Sequence, residues 1–279
     1  MENGKLRIIS YICKKNAEIM KNLFPKKWLF GAILPMIFVA CNTAATPTNE
    51  AEGTVLTRIS DNPVTYILPS PRLDGTMSVE QALANRRSHR RFQDKPLSAE
   101  QVSQVLWAAF GVTLPREDRP DAPPNRPSFR GGFRTAPSAG ATFPLEIYAV
   151  IGNVEGIEPG VYRYISEKHK LVKVIDQDVR EELARAALGQ IFVKEAPFSV
   201  FWSAIFSRSE VRYGPRGRER YVPMDLGHSA QNVYLQVEAL GLGTVAVGAF
   251  NDNEVSRVMQ LPPEEEPLYI MPVGYIRLQ

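Results

Sequence analysis

Arg86-Arg87-Ser88-His89-Arg90-Arg91 packs four arginines, a serine and a histidine into six residues. A guanidinium meets a phosphate through two parallel N–H donors and stays charged at any working pH. This density of arginine therefore suits a small, multiply charged anion, and Ser88 adds a neutral hydroxyl donor. Two other segments are built of small residues: Pro137-Ser138-Ala139-Gly140 and Val247-Gly248-Ala249-Phe250. With little or no side chain, their backbone N–H groups can approach a flat ring closely. Each segment alone has a plainer explanation. A basic turn at a helix C-terminus complements the helix dipole, and a Pro/Gly loop before a strand is an ordinary turn. Gly241-Leu242-Gly243 lacks the full glycine fingerprint of a dinucleotide-binding fold.

Other residues could do chemistry on a weaker footing. His228, Gln231 and Asn232 share the polar side of one predicted helix, which fits a hydrogen-bonded face across a dimer interface. Arg212-Tyr213 and Arg220-Tyr221 sit in a Gly-rich basic stretch. Cys13 and Cys41 are the only cysteines, and both precede the predicted domain, which rules out a disulfide framework there. His89, His169 and His228 are far apart and follow no ligand pattern, so no metal site is expected.

The elements that must position these groups read clearly. Ser78 with Gln81, and Ser98 with Gln101, have the form of capping boxes. The first helix delivers Arg86 and Arg87 at its C-terminal end. The second carries Val102, Val105, Leu106 and Ala109 on one side and stops at Gly111. Leu114–Arg134, with five prolines and five arginines, predicts a long loop, and such loops in compact domains are often functional. Leu145–Ile151 predicts a strand, and Val161–Tyr164 with Leu171–Ile175 a hairpin. Asp178–Leu188 predicts a helix, and the apolar run Phe198–Phe206 a strand buried on both faces. Pro223–Leu240 predicts the longest helix, with Leu226, Ala230, Val233, Val237 and Leu240 alternating by fours and threes. That stripe suits packing against a partner subunit or against the protein's own core. A strand over Thr244–Phe250, a helix over Asp252–Met259 and a strand over Tyr269–Tyr275 complete an α+β domain with a mixed central sheet flanked by helices.

The chain has 279 residues, 44% of them hydrophobic and 23% charged, which fits one domain with a real core plus extra segments. Its net charge of +3 is misleading. Residues 1–40 hold seven Lys/Arg and two Asp/Glu, and without them the rest has 26 Lys/Arg against 28 Asp/Glu. Nucleic acid is therefore not an expected partner. Lys21, Lys26 and Lys27 precede the apolar run Trp28–Ala40, the order of a signal peptide. The true start could be Met20, and an uncleaved membrane anchor is the alternative. Residues 42–70, rich in Thr, Ala, Asn and Pro, read as a flexible tether. The expected organisation is a signal peptide over 1–40, a tether over 41–70 and a folded domain over 71–279.

Phe38-Val39-Ala40-Cys41 resembles a bacterial lipoprotein signal, with Cys41 as the acylated residue. The resemblance implies an exported, membrane-anchored protein at the periplasm or cell surface, with Phe38 departing from the usual residue. The arginine cluster, the Pro137–Gly140 loop and the Val247–Phe250 segment, in that order, resemble the FMN-dependent nitroreductase family, and its SagB-type dehydrogenase branch in particular. That resemblance spans about residues 76–276. It implies a homodimer with two flavins at the subunit interface. Arg86, Arg87, Ser88 and Arg90 would hold the FMN phosphate and ribityl chain. Pro137, Ser138, Ala139 and Gly140 would lie along the flavin bound mainly by the other subunit. A backbone N–H within Val247, Gly248 and Ala249 would face flavin N5. The implied activity moves hydride or electrons, by a ping-pong flavin mechanism, from a reduced donor such as NAD(P)H to an oxidised small molecule. Two alternatives stand beside it: a SagB-like dehydrogenase that oxidises a peptide or other substrate, and a non-catalytic flavin-binding lipoprotein. Peptide-oxidising relatives use a Lys-Tyr pair, and this chain has none. His228, Gln231 and Asn232 resemble a Gly-His…Gln-Asn pattern of SagB-like relatives, and the resemblance leaves Tyr213, of Arg212-Tyr213, and His228 as the weak candidates for catalytic side chains.

Overall fold

The computed structural model describes residues 55–116 and 131–277. The chain divides into two units, 1–50 and 51–279, and the first lies wholly outside the described residues. So do Cys41, the signal segment and the middle of the loop expected over Leu114–Arg134.

The described part is built on an eight-stranded sheet. Its strands are β1 (Thr57–Asp61), β2 (Val64–Ile67), β5 (Leu145–Ile151), β6 (Gly160–Ile165), β7 (Lys170–Ile175), β8 (Phe198–Ala204), β9 (Gly243–Thr244) and β10 (Glu266–Gly274), in the spatial order β1-β2-β7-β6-β5-β8-β10-β9. Two short strands, β3 (Val112–Pro115) and β4 (Gly132–Arg134), pair separately at the ends of the long loop. The α+β class is as expected, but every pairing between named strands of the large sheet is antiparallel. Parallel pairing is confined to isolated bridges, Ser88 with Thr244 and Leu97 with Val154.

Helices cover both faces of this sheet. On one side lie α2 (Ala99–Phe110) and α6 (Val222–Ala239), and on the other α3 (Arg180–Ala186), α4 (Phe192–Glu195) and α7 (Asp252–Val258). The period-two alternation of a strand sorts the core. Leu145, Ile147, Ala149 and Ile151 face α2 and α6, whereas Tyr148 and Val150 face α3 and α4. Because both faces are covered, β5 and β8 are buried along their whole length, which explains the near-continuous apolar run 198–204. Both capping boxes form: Ser78 and Ser98 each accept from the N–H of N3, while Gln81 and Gln101 accept from the cap N–H, starting α1 (Val79–Asn85) and α2.

Three expectations change. Residues 57–67 belong to the sheet, not to a tether: β2 pairs with β7, and Tyr66 and Leu68 are buried in the core. Val64-Thr65-Tyr66-Ile67-Leu68 is a β-branched and aromatic run with enough apolar surface to repay its ordering. The strand expected over Thr244–Phe250 is only two residues long. The Ala246 N–H goes to the Tyr234 hydroxyl instead of a neighbouring strand, and pairing resumes at one bridge, Val247 with Ile270. The helix expected over Asp178–Leu188 is α3, and it ends where Leu188 and Gly189 turn to φ 57° and 74°.

Candidate functional site

The predicted site residues gather in two clusters, both anchored on α6. The first lies where α1 ends. Ser88 bridges to Thr244, and the His89 N–H donates to the Thr244 carbonyl, so the arginine turn is fastened to the start of the 244–250 segment. Tyr234 of α6 locks the junction. Its hydroxyl accepts the Ala246 N–H at 2.9 Å and shares a hydrogen bond with Ser88 Oγ at 3.1 Å. The Arg86 guanidinium stacks over the Tyr234 ring, 5.1 Å from its centre. Arg87 turns back onto the carbonyls of Ala84 and Arg86, as a cation at a helix C-terminus should. Among the described residues, Arg86, Arg87, Arg90 and Arg91 make no ion pair with a carboxylate, and all but the half-buried Arg86 are exposed.

In the same cluster the Val247 N–H is spent on the Ile270 carbonyl. The N–H groups of Gly248 and Ala249 have no acceptor among the described residues, and both residues are exposed. A Cβ at Gly248 would press on the Tyr269 ring at 3.1 Å. Gln190 holds the Ala249 carbonyl at 2.9 Å, which fixes the direction of this peptide.

The second cluster is the loop Pro137–Gly140, clamped by Asp225 near the start of α6. The Ser138 hydroxyl donates to Asp225 Oδ2 at 2.6 Å, and the Ala139 N–H donates to Oδ1 at 3.1 Å. Ser138 Oγ in turn accepts the Phe143 N–H at 2.9 Å. Asp225 is only 3% exposed. Burial pushes its carboxyl above the usual aspartate range, while Ser138, Ala139 and the nearby His228 pull the other way. Gly140, Ala141 and Phe143 all have positive φ, at 58°, 55° and 43°. Two non-glycine residues in that region within three positions mark a backbone held by its surroundings.

Arg212 and Tyr213 end α5 (Ser207–Tyr213) directly over this loop, so that a Cβ at Gly140 would collide with the Tyr213 hydroxyl. Tyr213 also pairs with Tyr221, the ring centres 4.6 Å apart. Tyr221 ends a π-helical turn, Gly217–Tyr221, that runs straight into α6. His228 and Gln231 are exposed on the outer face of α6, and Asn232 donates to the Thr135 carbonyl at 3.0 Å. The stripe Ala230, Val233 and Val237 packs in the core, with Leu226 and Leu240 at its margins. It is the inward face of α6 and not a subunit contact.

Asp225 and Tyr234 are nine residues apart on α6, which is about 13 Å of rise and half a turn of phase. They sit on opposite flanks of the helix's buried arc. One chain therefore presents the basic turn with the free Gly248 and Ala249 N–H groups on one flank and the clamped loop on the other. Sequence reasoning singled out both clusters but missed the two side chains that hold them.

The profile of the nitroreductase family matches residues 83–275. A candidate nitroreductase of Methanocaldococcus jannaschii is 46% identical over 198 residues, covering 71% of this chain and 91% of that one. A trifolitoxin-processing protein of Rhizobium leguminosarum is 31% identical over 134 residues, 47% of this chain and 36% of its own length. Among solved structures, a candidate nitroreductase from Ralstonia eutropha matches with a TM-score of 0.64 and 29% identity, over 82% of this chain and 97% of that one.

Proposed function

The chain belongs to the nitroreductase family, and from that premise we propose that it is an FMN-dependent oxidoreductase that takes electrons from NAD(P)H or another reduced donor and passes them to an oxidised small molecule. When bound, FMN supplies the electron exchange at N5, which no side chain of this protein could perform. The residues fit such a group. Arg86, Arg87, Ser88 and Arg90 form a basic turn without carboxylate partners, suited to the phosphate and ribityl chain. Gly248 and Ala249 have the N–H groups left to donate to the ring, since Val247 is committed to the sheet. The Pro137–Gly140 loop, fixed by Asp225, would offer its small-residue backbone to the flavin of a second copy.

The observation that carries this reading is the placement of these two prepared clusters on opposite flanks of α6. A single chain offers half of each site. A two-fold partner would bring the loop of one copy to the basic turn of the other, so the active unit is a homodimer.

The similarity to a trifolitoxin-processing protein keeps a second reading in view, a SagB-like dehydrogenase that oxidises a peptide or other substrate. The absence of a Lys-Tyr pair weighs against it, because the arginine of Arg212-Tyr213 hardly deprotonates and makes a poor base. A protein that holds FMN without turnover is the third. The absorption spectrum of the purified protein, before and after anaerobic addition of NADH or NADPH, separates the three. The proposal predicts a flavin spectrum that bleaches with a nicotinamide donor and recovers when an oxidised small-molecule acceptor is added. Bleaching only by a peptide substrate favours the dehydrogenase, and bound flavin that no donor reduces favours the binding protein. Arg87→Ala with Arg90→Ala should leave the fold intact and remove the flavin, each lost charge-assisted contact costing about 1.5–3 kcal/mol.

Export and lipid anchoring through Cys41 are part of the same proposal. Stable anchoring needs more than one acyl chain, which lipoproteins have. Replacing Cys41 by Ser should release the protein from the membrane fraction or block its processing, and an unchanged fraction and mass would refute the anchor.

A further inference from the structure

The Pro137–Gly140 loop is roofed by two side chains that have no hydrogen-bond partner among the described residues. Among the described residues, neither the Arg212 guanidinium nor the Tyr213 hydroxyl makes a hydrogen bond or ion pair within the chain. Both are pinned against Gly140, where a Cβ would strike the Tyr213 hydroxyl and the Arg212 stem. The helix that carries them is tied to the residues after the loop. Ser209 on the same helix shares a buried hydrogen bond with Thr142 at 2.8 Å, and Arg208 holds the Phe143 carbonyl at 3.1 Å and Glu146 at 2.5 Å. Gly214, at φ 58°, ends α5 just after Tyr213. The π-helical turn that follows brings the Tyr221 ring to 4.6 Å from the Tyr213 ring. Irregular turns of this kind are frequent at functional sites.

Resting on the flavin reading of the adjacent loop, we infer that Arg212, Tyr213 and Tyr221 form a recognition site for an aromatic carboxylate, which makes planar aromatic acids the substrate class. The exposed Arg212 guanidinium lies 5.5 Å from the centre of the Tyr213 ring, its fork of donors open to a ligand. Such a fork binds a carboxylate in two-point geometry. The Tyr213–Tyr221 pair is tilted by 59° and offers an aromatic wall for a ring carried on that carboxylate. The Tyr213 hydroxyl adds a third donor. A neutral ring would use the wall but leave the guanidinium idle. An anion without a ring would use the fork alone.

The test is calorimetric titration of the purified chain with benzoate and with benzamide, its flavin content being measured by absorbance. Benzoate should bind about ten- to hundredfold more tightly than benzamide, the effect of one charge-assisted contact. Arg212→Gln should erase that preference, Arg212→Lys should keep part of it, and Tyr213→Phe should weaken both ligands. The inference is overturned if the unaltered protein binds the two equally or binds neither, or if Arg212→Gln keeps the preference. It is also overturned if Arg212 proves to govern binding of adenosine 2′,5′-bisphosphate and not of benzoate, for the guanidinium then serves the phosphates of a nicotinamide donor. Failure of the flavin reading looks different: protein that binds benzoate through Arg212 yet neither carries nor takes up FMN. Protein with full FMN whose benzoate affinity ignores Arg212 refutes the carboxylate site alone.

Discussion

Two side chains of α6 do the positioning. Tyr234 joins three parts of the basic cluster: its hydroxyl accepts from Ala246 and shares a hydrogen bond with Ser88, and its ring lies under Arg86. Tyr234→Phe removes both hydrogen bonds and keeps the ring. It should cost about 1–3 kcal/mol of stability, because the half-buried Ala246 N–H loses its acceptor, and thermal unfolding would measure this. Flavin retention should fall with it if the turn must be fixed to hold a phosphate. Asp225→Ala should act on the other cluster, leaving Ser138 and Ala139 without their acceptor and loosening the Pro137–Gly140 loop. Neither residue was legible as a site residue in the sequence. Each reads as one more position of an amphipathic helix, and what gives it meaning is a contact 12 or 87 residues away. The arginine turn and the two small-residue loops were legible because their composition is odd by itself. For Asp225 one signal existed: an acid directly before the buried stripe that begins at Leu226 has to find donors once it is enclosed.

At the level of elements, helices with caps and strands with apolar runs were easy to read, and short polar pieces were not. Helix α5 and the π-helical turn after it lie in a stretch of Arg, Gly and Glu without a period, and tertiary contacts such as Ser209 with Thr142 hold them. Strands β1 and β2 were hidden by the Pro- and Thr-rich run before them, and a clamp far along the chain secures the segment that follows. His169 shares hydrogen bonds with Ser103 Oγ at 2.7 Å, the Pro69 carbonyl at 2.9 Å and the Tyr164 hydroxyl at 2.8 Å. Since Ser103 gives its proton to Pro69, the consistent arrangement is a neutral ring whose Nε2–H donates and whose Nδ1 accepts from Tyr164. Burial holds the His169 pKa below its ordinary value of 6.5. A folded value below the unfolded one means that the unfolded chain binds more protons as pH falls. The clamp's stabilisation is therefore complete above pH 6.5 and lost as pH drops through the folded value. Unfolding midpoints measured from pH 8 down to about pH 5 should fall for the unaltered protein through this range. They should fall less for His169→Gln, and equal pH slopes would show that the ring is not buried neutral.

At the scale of the whole molecule, the heptad-like stripe of α6 was compatible with a dimer contact, but in the structure it faces the core. A periodic apolar face does not say which neighbour it packs on. The proposed dimer rests instead on the two clusters lying on opposite flanks of α6 and on surface that one chain leaves bare. Val79 and Leu83 of α1 are 63% and 54% exposed, beside a groove of about 320 Å³ lined by Met77, Val79, Trp107, Leu235 and Ala239. None of the predicted flavin residues lines that groove, so it is available to a second copy without competing with the cofactor. If the flavin site is shared, breaking the dimer must also release FMN, because half of each pocket leaves with the partner. Size-exclusion chromatography with light scattering and flavin absorbance tests this central claim most directly. The account predicts that flavin absorbance follows the dimer peak at one FMN per chain and disappears from any monomer. A monomer eluting with stoichiometric FMN would contradict it.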